Sequence, residues 1–246
     1  MVVREEHQLL GVVLKAQPLG EADSLITWFT REQGKIRTVV ASARRPHSRL
    51  QYALMPGTTV AFRVTQRTGQ NNLAKLIQAI PVEVYVRDFS EGRGLVLQWL
   101  QEIIFRATPD EQANEPLFGL LQETLAVLAR PDFTLISVPV VMFGVMKHLC
   151  EVLGFGISEP VDLGTSYYFN MDAGGFVASP TSGDDWFLIT QEVDRFVHIG
   201  RLPIAQLVGV QPEPIDERLA DLVAHFFEYH TERMVRSSRL FGAILQ

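Results

Sequence analysis

The chain has 246 residues, 47% hydrophobic and 20% charged, which suits a globular protein of one to two domains and excludes a disordered one. A net charge of −6 argues on its face against nucleic acid, and the single cysteine, Cys150, excludes an internal disulfide and a cysteine-based metal site, which fits a reducing cytoplasm. The opening MVVREEHQLL lacks a secretory profile, and the most apolar run, Val138–Met146, is too short to span a bilayer, so no membrane is expected.

The distribution of charge reverses the first impression. Residues 1–80 carry eleven Lys/Arg against five acids, a net +6, while residues 81–246 carry eleven against 23, a net −12. A basic part and an acidic part suggest two surfaces with different partners. In chain order, LLGVVLKAQ alternates as a strand and LGEAD turns. SLITWFT follows, with Leu25, Thr27 and Phe29 on one face and Ile26, Trp28 and Thr30 on the other. EQG turns into KIRTVVAS, a third strand. ARRPHSRLQYALMPG is a long connector, TTVAFRVTQ a fourth strand, RTGQNN a hairpin turn and LAKLIQAI a fifth apolar segment. Five short strands with a long connector after the third match an OB barrel, the alternative being an SH3-like small barrel.

Beyond Val84 the period becomes helical. RDFSEGRGLVLQWLQEIIFRA, LFGLLQETLAVLAR and SVPVVMFGVMKHLCEVLGF read as three helices, separated by TPDEQANEP and by Pro131. YYFN and GGFVAS form a small hairpin, followed by helices in ITQEVDRFVHIGRL and QPEPIDERLADLVAHFFEYHTERM, with Pro214 near the start of the latter. A basic then apolar tail, VRSSRLFGAIL, ends the chain. The fold expected is α+β: an N-terminal five-stranded OB barrel over 1–80, then an α-helical domain over 81–246 with a hairpin insert near 165–179.

The connector SARRPHSRL carries the main signal. Guanidinium groups on a loop reach a phosphate backbone without being buried, and each neutralised phosphate releases counterions. Arg44, Arg45 and Arg49 are the leading DNA-binding candidates. Lys35 and Arg37 alternate along the preceding strand, Arg63 and Arg67 lie on and after the next, and Lys15 ends the first. Trp28, Tyr52 and Phe62 are candidate base stackers, although strand alternation assigns Trp28 and Phe62 to the core before a stacking role. A solvated basic loop is the plainer reading of the connector. Elsewhere the chemistry is thin. His225 and His230 are five apart, the wrong spacing to share a metal on one helix face. Asp184–Asp185 reads as a helix start or solvated turn and Cys150 as a small buried hydrophobe. EGRGL holds only a Gly-x-Gly, and neither a phosphate-binding loop nor a nucleophile elbow is present.

The run from Gly11 to Val60 resembles the start of RecO recombination mediators. The resemblance is carried in order by Leu14–Lys15, Gly20–Asp23, Phe29–Thr30, Gly34–Arg37, Ala43–Leu50 and Leu54–Pro56. LCEVLGFG is similar to the family's helix end, and Arg236-Ser-Ser-Arg-Leu-Phe to an element near its C-terminus. Many relatives carry a four-cysteine zinc module after the Leu-Gly-Phe segment. Here that slot is ISEPVDLGTSYYFNMDAGGFV, which has no cysteine, so packing of Tyr167, Tyr168, Phe169 and Phe176 must hold it. No cofactor or metal is expected.

The resemblance implies a non-enzymatic mediator in the bacterial cytoplasm, associated with the nucleoid. Such a protein binds single-stranded and also double-stranded DNA, anneals strands and helps load a recombinase onto DNA coated by single-strand-binding protein. It implies two protein partners, RecR and the C-terminal tail of single-strand-binding protein. That acidic, apolar tail needs an apolar groove rimmed by cations, for which Arg106, Arg130, Lys147, Arg195 and Arg201 are available. Two other readings stand beside this one: a protein-interaction or RNA-binding module on the same barrel, and a hydrolase with a dispersed site in the helical part.

Overall fold

The computed structural model describes residues 4–46, 48, 50–67, 73–85, 92–160, 166–181, 183 and 185–235. The alternating N-terminal sequence forms β1 (Arg4–Leu19), β2 (Asp23–Thr30), β3 (Gly34–Val40), β4 (Thr58–Arg67) and β5 (Ala74–Val84). They close into a barrel in the order β1-β2-β3-β5-β4. Neighbours run antiparallel except β3 and β5, which pair in parallel at Thr38–Ala74 and Val39–Lys75. Most of the expected 67–72 turn lies outside the described residues.

Inward positions of the strands fill the barrel. Leu9, Val13, Ile26, Trp28, Val60 and Phe62 belong to one buried cluster. Trp28 and Phe62 stack with centroids 4.3 Å apart, and the buried Trp28 indole donates to Thr38 Oγ1 at 2.8 Å. This satisfies its one polar atom in an apolar setting. The two rings are therefore core, as alternation favours. The opposite face of β2 is also covered: Phe29 is fully buried and packs 6.3 Å from Phe118.

Contacts divide the chain into two compact units, Met1–Phe89 with Leu97–Phe118, and Ser90–Val96 with Gly119–Gln246. The first unit thus takes in most of α1 (Arg93–Ala107) and the start of α2 (Glu115–Leu128) beside the barrel. Gln101 on α1 donates to the Val13 carbonyl at 2.9 Å, where a bulge interrupts β1.

The second unit is built on α3 (Val138–Val152), with α4 (Thr190–Gly200) and α5 (Ile215–Thr231). With its leading 3-10 turn, α3 makes an 18-residue helical stretch, Leu135–Val152, of mean hydropathy 1.6. By length and composition alone it can cross a membrane, a correction to the shorter run read from the sequence. The run continues past Lys147 because that side chain is buried and donates to Glu151 one turn on, at 2.6 Å. In the fold the stretch is 72% buried, the place of a core helix.

The hairpin expected near 165–179 is β6 (Ser166–Asn170) with β7 (Gly175–Val177), and it gains a third strand, β8 (Trp186–Ile189), in the order β7-β6-β8. Four residues give alternation too little length to register. Aromatic packing holds this sheet: Phe169 and Phe176 lie 5.3 Å apart, Phe176 and Phe196 5.1 Å, Phe169 and Phe226 5.6 Å. Tyr167 packs edge-on against Phe176, and Tyr168 lies 5.5 Å from Phe187 on β8.

Candidate nucleic-acid interface

The connector between β3 and β4 is a chain of turns anchored at both ends. At its start Ser42 takes a positive φ of 56°, and Asp23 accepts its amide at 2.8 Å. The Arg44 amide donates to the Ala22 carbonyl at 2.9 Å and its guanidinium to the Gly20 carbonyl at 3.1 Å. The Gly20–Asp23 turn therefore braces the Ala-Arg-Arg element, which accounts for two separate motifs in the sequence. Ala43, Ala53 and Leu54 are buried in the barrel cluster, with Leu50 packed against it. These apolar anchors fix the connector while Arg44 and Arg45 stay exposed. Tyr52, 74% exposed, is the one candidate stacker on the surface. Arg49 and His47 lie outside the described residues.

The other predicted cations fall into distinct settings. Lys15, Thr27 and Arg37 align in one row across β1, β2 and β3. The ammonium groups of Lys15 and Lys35 lie 5.7 and 4.7 Å from the Phe105 ring centre. Lys35 is buried, and its ammonium donates to the carbonyls of Phe105 at 2.8 Å and Thr108 at 2.6 Å. Asp110 lies between it and Arg37, 3.3 Å from the one and 3.2 Å from the other. Arg63 is exposed on β4, 4.0 Å from Glu6. Arg67 ends that strand; its side chain is outside the described residues. Phe105, Thr108 and Asp110 escape sequence reasoning. They are about seventy residues from the strand they meet, and no local pattern marks them.

In the second unit four of the candidate cations, Arg130, Lys147, Arg195 and Arg201, are paired with carboxylates. Arg195 meets Asp216 at 2.8 Å and Glu213 at 2.9 Å; Asp216 is fully buried and also accepts the Glu213 amide. Arg201 bonds Glu159, and Lys147 bonds Glu151. Arg130 pairs with Asp132, holding that carboxyl below its usual range, and donates to the Ala205 carbonyl. Arg106, in the first unit, pairs with Glu102 one turn earlier. Arg130, Arg195 and His198 rim a cleft of about 630 Å³ floored by Leu202, Ala205 and Val210. Burial pushes the Cys150 thiol far above its ordinary range, which makes it a poor nucleophile. His225 bonds the Asp221 carbonyl and His230 stacks on Phe155, so the two do different work. Among the described residues no group of three or more His, Cys, Asp or Glu is arranged to hold a metal ion.

Comparison with known proteins agrees with the barrel and its connector. A family model described as "Recombination protein O N terminal" matches residues 3–85. The "DNA repair protein RecO" of Synechococcus sp. (strain JA-3-3Ab) is 27% identical over 96% of this chain and 85% of its own length. That of Bifidobacterium adolescentis is 26% identical over 95% of this chain and 98% of its own. That of Gloeothece citriformis reaches 39% identity over 48% of this chain and 41% of its own. The OB barrel, the connector motif and relatives matched over most of their length agree: residues 3–85 are similar to the N-terminal part of RecO proteins, and nearly the whole chain is similar to DNA repair proteins of that name.

Proposed function

We propose that this protein is a non-enzymatic recombination mediator that works in the bacterial cytoplasm on nucleoid DNA. In this reading the barrel domain, residues 1–80, binds single-stranded and also double-stranded DNA through phosphate contacts. The observation that carries it is the pair Arg44 and Arg45, exposed on a connector whose backbone is braced by Ala22 and Asp23. Cations held on a rigid loop meet a phosphate backbone with little ordering cost. Arg49 belongs to the same connector in the sequence; Arg63 and Arg67 on β4, and Lys15, Lys35 and Arg37 on β1 and β3, are the further cations of the domain. Tyr52 supplies a surface on which a base can stack.

Annealing needs no chemical step. A cationic surface lowers the repulsion between two strands, and salt weakens that effect. The domain from 81 to 246 holds the protein partners that the family suggests, RecR and the tail of single-strand-binding protein. For the latter, the cleft lined by Arg130, Arg195 and His198 is the candidate: it has apolar lining, and a terminal carboxylate would share the two guanidinium groups with Asp132 and Asp216. Together these activities help a recombinase replace single-strand-binding protein.

The test is fluorescence anisotropy of a labelled single-stranded oligonucleotide across a salt series, on the whole protein. Tight binding that weakens steeply with salt is expected. Absence of binding even at low salt removes the reading.

A further inference from the structure

We propose that the cleft beside β3 is a phosphate subsite occupied, in the free protein, by the carboxylate of Asp110, which a nucleic-acid phosphate displaces. This rests on the DNA-binding reading above. One oxygen of Asp110 lies 3.3 Å from the Lys35 ammonium and the other 3.2 Å from the Arg37 guanidinium. A phosphodiester, with two unesterified oxygens, can bridge the same two cations.

The site is built before any ligand arrives. Lys35 has three donors; carbonyls of Phe105 and Thr108 take two, and the Phe105 ring lies 4.7 Å from its nitrogen. Its side chain is only 10% exposed, so the ammonium keeps one position and needs an anion beside it. Asp110 and Arg37, by contrast, are each about half exposed, and an ion pair so open to water holds weakly. The anion is therefore exchangeable and the cation beneath it fixed.

Exchange requires only a side-chain rotation. The backbone of the loop is locked to β3 by a parallel bridge between Lys35 and Asp110 and by the Glu111 amide donating to the Lys35 carbonyl at 2.9 Å. It approaches so closely that a Cβ on Gly34 would sit 1.9 Å from the Gln112 carbonyl oxygen. Around the two cations the cleft measures about 360 Å³, and His7, Gln33 and Gln66 line it with further polar groups, against one other acid, Glu111. Asp110 thus sets a threshold: nucleic acid gains these two contacts only by competing with an internal anion.

The experiment compares the whole protein with Asp110→Asn, Arg37→Gln and the double variant. Each is titrated against a labelled single-stranded oligonucleotide across a salt series, with circular dichroism to verify folding. Asp110→Asn keeps the size of the side chain and the backbone bridge while removing the charge; Asp110→Ser replaces it if the amide variant does not fold. The expected result is several-fold tighter binding by Asp110→Asn and a steeper salt dependence, by about 0.7 in log–log slope for each added phosphate contact. Arg37→Gln should cancel both gains. Wild-type binding that Asp110→Asn leaves unchanged or weakens overturns the inference and spares the DNA reading. A gain that persists in the double variant also overturns it, because it is then a general charge effect. Failure of every variant to bind at low salt overturns the DNA reading and the inference together.

Discussion

Arg44 on the barrel's connector and Arg195 in the helical unit are chemically identical and differently employed. Arg44 is exposed and its guanidinium donates to a neutral carbonyl, that of Gly20, so its charge stays unneutralised. Arg195 is nearly buried and pairs with two carboxylates, one of them, Asp216, fully buried. The first arrangement leaves a field outside the protein. The second cancels the field and holds α4 to α5. A sequence count of +6 against −12 describes the two parts only coarsely; what distinguishes these two arginines is whether a carboxylate stands beside them.

The largest effect should come from reversing the connector. Arg44/Arg45/Arg49→Glu is expected to lower single-strand affinity by orders of magnitude and to flatten its salt dependence, since several phosphate contacts become repulsions. Anisotropy across the salt series measures both, and circular dichroism shows whether the barrel is intact. Unchanged affinity in a folded variant would place the DNA site elsewhere on the molecule and dissolve the contrast.

The helical unit should answer to the opposite perturbation. Asp216→Ala leaves the Arg195 charge nearly buried without its closest partner, and breaking such a pair costs on the order of 3–5 kcal/mol. Urea denaturation should show this as a lower midpoint. A shift under about 1 kcal/mol would mean that Glu213 and the Gln211 carbonyl suffice to hold the guanidinium.

A smaller loss is expected at Gly34, where β2 turns into β3. Its φ of +67° favours glycine, and Gln112 leaves no room for a Cβ. Gly34→Ala should cost roughly 1–3 kcal/mol in strain and push the 110–112 loop off β3. Thermal melting reads the first effect. Amide exchange at Glu111, whose N–H is bonded to Lys35, reads the second.

Much of this was legible in the sequence, for definite reasons. β2 shows because it is largely buried and long enough to alternate: SLITWFT reads as two faces, and both are covered, whereas β5 is mostly exposed. Arg44 and Arg45 show because a loop position with flanking small and apolar residues needs no tertiary information to be exposed. Three features were out of reach. β8 has four residues, below the length at which alternation can be told from helix. Lys147 ends an apolar run on paper but not in the fold, since its partner, Glu151, is supplied one helical turn later. Lys35 and Arg37 read as one exposed face of a strand. Their neighbours Phe105 and Asp110 come from a segment about seventy residues away, which buries one cation and pairs both.

Arg201 is an exposed arginine, as Arg44 is, and Arg130 is partly exposed; a view in which any surface cation attracts DNA treats the three alike. Each of the two has its own carboxylate, Asp132 and Glu159, which keeps its guanidinium pKa raised and its charge locally cancelled. Arg130→Gln/Arg201→Gln should therefore change single-strand affinity by no more than about twofold and leave the salt slope unaltered. The same variant is expected to weaken binding of a peptide that ends in apolar residues and a free carboxylate, because Arg130 rims the cleft over Ala205 and Val210. Loss of DNA binding without loss of peptide binding would reverse the assignment of the two units.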